Sequence, residues 1–252
     1  GSVMWTSIII WNLSNLLVPR ARLAVPGDVK CFRMNPTNPY IIVAGLATGQ
    51  VIMWDLSSVS INGEDIYAAT TTTEAKKSQR TPSFSSKVCS VVQVSHSKAV
   101  TDIRWLPKGV RITGRGEFRT DPDAKMANYF ASTSGDGTFM FWDVRLQETH
   151  NADGSLDKNL RWTPVFKTEI RPSGAKMRLS ATKFALLKSK KKKCNLAVVS
   201  SAGEVTFGSW ALEPDEKGKK EGQSFETVRS IERPTTSIAW ACYKALIFQK
   251  SV

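Results

Sequence analysis

Apolar and polar side chains alternate along this chain in short runs, and the runs recur in a fixed order. Residues 28–34 (DVKCFRM), 99–105 (AVTDIRW) and 180–186 (SATKFAL) alternate as strands with two unequal faces do. Each is followed by a second apolar run, a glycine-bearing tight turn and a third run that closes near a tryptophan. These hairpins are 40–55 (YIIVAGLATGQVIMWD), 128–143 (NYFASTSGDGTFMFWD) and 195–210 (NLAVVSSAGEVTFGSW), with an earlier ending at 8–13 (IIIWNL). Fourth, outer strands are predicted at 22–25, 88–94, 165–170 and 225–231. A further unit opens at 235–240 and continues into 245–248.

Four-stranded units recurring at roughly 40 to 45 residues and ending in Trp-Asp are blades of a WD-repeat β-propeller. Trp11, Trp54 with Asp55, Trp142 with Asp143, and the displaced Trp210 mark the blade ends. The expected fold is therefore all-β: about three complete blades with partial blades at each end. Closed propellers have four to eight blades, and closure protects their edges. The chain thus reads as a fragment of a larger propeller, which alone would expose strand edges and fold poorly.

One blade carries a complete polar chain. Ser132 lies four residues before Asp136, Trp142 lies six after it, and His96 precedes the strand at 99–105. An indole donates only, a carboxylate accepts only, and serine and neutral histidine do both, so Trp142, Ser132, His96 and Asp136 can satisfy one another. A fully satisfied network specifies one packing. In the preceding copy Ala44 and Thr48 fill the serine and aspartate offsets, so the structural tetrad is expected only around Trp142.

Between the strands run insertions at 57–87, 107–127, 146–161 and 213–223. The first is rich in Ser, Thr and Lys and poor in apolar residues, which predicts a flexible loop. Loops on a rigid scaffold are where binding specificity resides.

Composition narrows the class. At 252 residues and 41% hydrophobic the chain can bury a sizeable core. No apolar run reaches the roughly 18 to 20 residues of a membrane span, and the opening Gly1-Ser2-Val3-Met4-Trp5 does not read as a secretory leader. The four cysteines, Cys31, Cys89, Cys194 and Cys242, are scattered, which predicts reduced thiols and no zinc site. A net charge of +13 favours anionic partners such as nucleic acid, a membrane surface or an acidic protein surface. The densest run holds Lys188, Lys190, Lys191, Lys192 and Lys193, with no aromatic residue to stack a base. It reads as a solvated loop and a candidate electrostatic contact.

Candidate chemistry is sparse. The two histidines are His96, committed to the tetrad, and His150, in a polar loop without a motif. Gly114-Arg115-Gly116 is too short to cradle phosphate, and Asp121, Asp123, Glu64 and Asp65 read as turn and loop acids. The sequence predicts no enzyme, no cofactor and no metal.

The run Asp28-Val-Lys-Cys-Phe32, then Asn35-Pro36, Pro39 to Gly45 and Gly49 to Asp55, resembles the propeller of dynein intermediate chains. Val100 to Pro107 ahead of the Ser132 to Arg145 blade strengthens the likeness, as does the ending Gly203-Glu204 with Trp210. Within that family the chain is most similar to the intermediate chain of the two-headed inner-arm axonemal dynein. The resemblance implies a non-catalytic scaffold whose propeller grips a dynein heavy-chain tail. It also implies a second intermediate chain and light chains in the same complex, docking factors on the doublet microtubule, and a place in the cytoplasm and the axoneme of a cilium or flagellum. No small-molecule substrate or membrane is implied, and nucleic acid is disfavoured. Light-chain motifs precede the propeller in that family and are not in this sequence, so light-chain contact by this stretch is not expected. Two other readings stay open: a basic WD-repeat scaffold of a nuclear RNA-processing or chromatin complex, and an intraflagellar-transport dynein intermediate chain.

Overall fold

The computed structural model of the chain describes residues 7–12, 19–61, 64–66, 81–146, 161–172, 176–187, 195–209, 224–230, 235–240 and 246–250. Among them the regular structure is β-strand, apart from a 3-10 turn at Val92–Val94. Three antiparallel sheets have four strands each, hydrogen-bonded in chain order from inner to outer edge. The first blade is Val29–Met34, Ile41–Leu46, Val51–Asp55 and Val88–Cys89. The central blade is Val100–Trp105, Tyr129–Ser134, Thr138–Asp143 and Phe166–Glu169. The third is Ala181–Leu187, Asn195–Ser200, Glu204–Ser209 and Ser224–Ser230. A leading sheet of Ser7–Ile10, Ala21–Ala24 and Ser83–Phe84 precedes them, and the pair Thr235–Trp240 and Leu246–Lys250 follows. This is a WD-repeat propeller arrangement, with three full blades flanked by smaller sheets.

Period-two alternation explains how the blades stack. Along Ile41–Leu46 the side chains of Ile42, Ala44 and Leu46 pack with Ile8, Leu23 and Trp54 towards the leading sheet. Ile41 and Val43 pack from the opposite face with Phe130, Met140 and Trp142 of the central blade. The other face of the central blade, through Tyr129, Ala131, Phe139 and Phe141, meets Phe184, Leu196 and Val198 of the third. A strand buried on both faces reads as a continuous apolar run, and that is what Tyr40 to Leu46 shows.

The inner strands share a further device. Each carries a register shift at the same place, between Val29 and Cys31, Val100 and Asp102, Ala181 and Lys183, and Thr235 and Ser237. A bulge turns one residue out of the ladder and re-aims its side chain. Thr101, within the central shift, sends its hydroxyl to the carbonyl of Ala181 in the third blade at 2.9 Å. The central bulge thus serves the contact between blades as well as the strand that contains it.

Three expectations from the sequence change. The outer strand expected over 88–94 stops at Cys89, because Val91 N–H turns to the Trp162 carbonyl at 3.0 Å and the chain enters the 3-10 turn. That turn delivers His96 to the next blade. Residues 57–87 are not uniformly loose: Ile66 is only 1% exposed, and Ser83–Phe84 adds a parallel strand to Ala21–Ala24. Its apolar residues are few, but Ile66 and Phe84 find the same cluster under the leading sheet. The insertion at 107–127 folds into a hairpin, Val110–Ile112 against Phe118–Thr120, with Ile112 buried. Residues 147–160 and 210–223 lie outside the described residues.

Candidate functional site

The central blade brings its four tetrad residues together and adds a fifth. The Trp142 indole Nε1 donates to Ser132 Oγ at 2.9 Å, and Ser132 Oγ lies 2.8 Å from His96 Nε2. His96 Nδ1 lies 2.7 Å from Thr138 Oγ1 and 3.5 Å from Asp136 Oδ1. Thr138 donates from both its hydroxyl and its amide to Asp136 Oδ1, at 2.7 and 2.8 Å. The proton order follows from the donor inventory. Trp142 can only donate, so Ser132 passes its own proton to Nε2, Nδ1 carries the ring hydrogen, and Thr138 hands the chain on to the carboxylate.

The ends of this chain are fixed by backbone. Ser97 N–H donates to Asp136 Oδ2 at 2.8 Å. Burial works to raise the Asp136 pKa, but the His96 ring, the Thr138 hydroxyl and the Ser97 amide hold it well below the usual carboxylate range. His96 is placed by Gly49, whose φ of +88° lets the turn press against the next blade and accept the His96 N–H at 3.2 Å. A Cβ on Gly49 would stand 2.0 Å from the His96 carbonyl oxygen. Glycine there is a requirement of close approach as well as of backbone angle.

The same slots in the neighbouring blades are not filled alike. Register equates Ile42–Trp54 with Phe130–Trp142 and Leu196–Gly208. Trp54 is fully buried and its Nε1 has no partner among the described residues; Ala44 stands where Ser132 does. In the third blade Gly208 occupies the tryptophan slot, and Trp210 lies outside the described residues. Trp11, just past the first strand of the leading sheet, is 46% exposed. The blade-ending acids cap the next turn: Asp55 accepts from Ser57 and Lys87 Nζ, and Asp143 accepts from Arg145, whose guanidinium also donates to the Tyr129 hydroxyl. Lys188, Lys190, Lys191, Lys192 and Lys193, and His150, lie outside the described residues.

A second polar cluster was not legible as such. Asp102 sits on the inner strand of the central blade, wholly buried. Its Oδ2 is 3.2 Å from Arg104 Nε; its Oδ1 accepts no hydrogen bond among the described residues and is held by charge alone, with Arg33 of the first blade at 3.6 Å and Lys183 of the third at 3.7 Å. Lys183 also donates to the Thr101 carbonyl at 3.0 Å. Asp102 therefore ties three successive blades at their inner edges. The signal in the sequence was an acid inside an otherwise strand-like apolar run. Trp162 is the other residue missed: it packs 5.3 Å from Trp142 and 5.8 Å from Phe130, and its indole donates to the Asp143 carbonyl.

Both nitrogens of His96 are engaged and the residue is 2% exposed. Among the described residues no group of three or more His, Cys, Asp or Glu side chains could hold a metal ion, and no helix is long and apolar enough to cross a membrane. Burial pushes the Cys31 thiol up to about 12.

Comparison with known proteins identifies a family by sequence. The family described as "Dynein axonemal intermediate chain 3 WD40 domain" matches over residues 3–206. Dynein axonemal intermediate chain 3 of Mus musculus is 31% identical over 157 residues, covering 56% of this chain and 16% of that protein. The protein of the same name from Danio rerio is 24% identical over 202 residues, covering 71% and 21%. The matches thus span about a sixth to a fifth of the length of these curated relatives. Among solved structures, the Myceliophteria thermophila Cps50 (Swd1) beta-propeller domain aligns with a TM-score of 0.48 at 12% identity, over 97% of this chain and 52% of that one.

Proposed function

Because this chain belongs to the family of dynein axonemal intermediate chain 3 WD40 domains, we propose that it acts as a non-catalytic scaffold in an inner-arm axonemal dynein, its propeller binding the heavy-chain tail. In this reading it helps assemble the motor with a second intermediate chain and light chains, and helps dock it on the doublet microtubule of a cilium or flagellum. The observation that carries the scaffold role is the consumption of polar chemistry by packing. The one histidine among the described residues is spent on holding strands together, and the one fully buried carboxylate, Asp102, binds three blades to each other. Rigid blades with long connections at their edges suit a holder of other subunits.

The test is biochemical. The protein is followed through salt extraction of isolated axonemes, and the heavy chain that co-elutes with it is identified by mass spectrometry. Co-elution with an inner-arm heavy chain is expected. Recovery instead with ribonucleoprotein, abolished by nuclease, would favour the nuclear scaffold reading that the +13 charge also permits.

A further inference from the structure

Antiparallel pairing fixes where each connection leaves the blades. The end of the first strand, the start of the second, the end of the third and the start of the fourth all meet at one end of a blade. Every insertion, 57–87, 107–127, 146–161 and 213–223, falls at such a junction, as does the lysine run, whose flanking Leu187 and Asn195 pair there. Among the described residues the opposite end carries the tight glycine turns and the links between blades, with the 3-10 turn Val92–Val94 in the first of those links.

Among the described residues the elaborated end includes two small hairpins, Ser60–Ile61 with Glu64–Asp65 and, in the central blade, Val110–Ile112 with Phe118–Thr120. The second is built and anchored. Ile112 is buried, and the Phe118 ring meets Phe141 edge-on at 6.2 Å. Asp121 N–H donates to the Gly109 carbonyl at 2.7 Å, and Gly116 lies against the Phe166 ring. With its apolar face turned in, the hairpin shows solvent an arginine face: Arg111 and Arg119 stand directly opposite each other across the ladder, both exposed. Arg115 is exposed at the turn, with Lys108 and Lys125 exposed on the flanks. Like charges directly opposed destabilise a hairpin. Arg119 pairs with Glu117 at 3.5 Å, at the surface, where water screens the contact.

We propose that this hairpin is a docking surface for an acidic polypeptide segment, whose carboxylates are gripped by Arg111 and Arg119. The partner class rests on the assembly reading above; the surface does not. Two arginine forks a cross-strand spacing apart suit carboxylates on one extended chain, each taken by paired N–H donors. A nucleic acid fits less well. The single aromatic residue of the hairpin, Phe118, is turned into the core, so no platform for stacking bases is offered. Glu117, Asp121 and Asp123 interrupt the field that a continuous phosphate backbone would need.

The experiment uses the full-length protein carrying Arg111→Glu with Arg119→Glu, and separately Arg111→Lys with Arg119→Lys. Binding of a fluorescein-labelled peptide of alternating glutamate and alanine is read by anisotropy, beside single-stranded DNA of equal charge. The wild type should bind the peptide in preference to the DNA, with affinity falling as salt rises. The glutamate pair should weaken peptide binding on the order of tenfold or more, and the lysine pair by less, since charge is kept and the fork is lost. Peptide affinity unchanged in the glutamate pair, or wild-type DNA binding as tight as peptide binding, overturns the proposal. Melting temperature is measured on both variants, since these side chains leave the core untouched and should not shift it. Heavy-chain recovery from axonemes is scored separately: its absence in the wild type would refute the dynein reading while the peptide result still decides the surface.

Discussion

Lys183 of the third blade places its ammonium 3.7 Å from the carboxylate of Asp102 in the central blade, across the seam between two inner strands. Arg33 approaches the same oxygen from the opposite seam. Removing one member of a buried ion pair is costly because the other is left desolvated. Asp102→Ala should therefore lose roughly 3 kcal/mol, at the low end for such pairs because the cations keep partial contact with water. Lys183→Met should cost less, since Arg33 and Arg104 remain. Urea denaturation of each variant checks the order; equal losses would mean that the cations do not share the acid.

The first and central blades form a natural experiment in polar satisfaction. Ser132→Ala would strand both the Trp142 indole and His96 Nε2, and should destabilise by about 2 to 3 kcal/mol. Ala44→Ser offers the orphaned Trp54 Nε1 an acceptor and should stabilise by about 1 kcal/mol. The facing slot is apolar Val25 rather than a histidine, so the gain is limited to that one bond. The denaturant midpoints of the two variants should move in opposite directions.

Asp136 sets a pH dependence. Its folded-state pKa is depressed, so its contribution to stability is fully present above the ordinary aspartate value of about 3.9 and is lost as pH falls towards the folded value. The wild type should lose stability between neutral pH and pH of about 3 more steeply than Asp136→Asn. Parallel denaturation curves at the two pH values would show that the carboxylate is not stabilised by the tetrad.

Thiol reactivity separates two cysteines. Cys31 is buried between blades with its pKa pushed up to about 12, so thiolate is scarce at neutral pH. Under native conditions iodoacetamide should leave Cys31 unmodified and label Cys89, which is partly exposed, more readily; denaturant should make the two equal. Peptide mapping by mass spectrometry reads both sites.

Much of this architecture could be read from the chain, for local reasons. Alternation gave the strands, and the glycines at 49, 137 and 203 marked turns that need positive φ. The four tetrad residues were legible because their offsets lie within one blade and its lead-in loop. Thr138 was not, because a threonine opening a strand carries no signal until the His96 ring is seen 2.7 Å away. Asp102 escaped for a different reason: its partners Arg33 and Lys183 lie 69 and 81 positions away, on other blades, and only the stacking brings them to one carboxylate. Ile66 was passed over because a single apolar residue in a polar stretch has no periodicity, yet a seam needs only one side chain to be filled.

The two ends of the stacked blades tolerate added sequence very differently. A short epitope spliced into the connection at 67–80 would leave the hydrogen-bonded ladders unchanged, since it joins strands whose pairing is complete without it. The same epitope between Thr48 and Gly49 would drive a wedge between neighbouring blades, dislodging the His96 carbonyl and with it the ring that holds Ser132 and Thr138. Reporter tags for tracking this protein in cells belong on the first side alone.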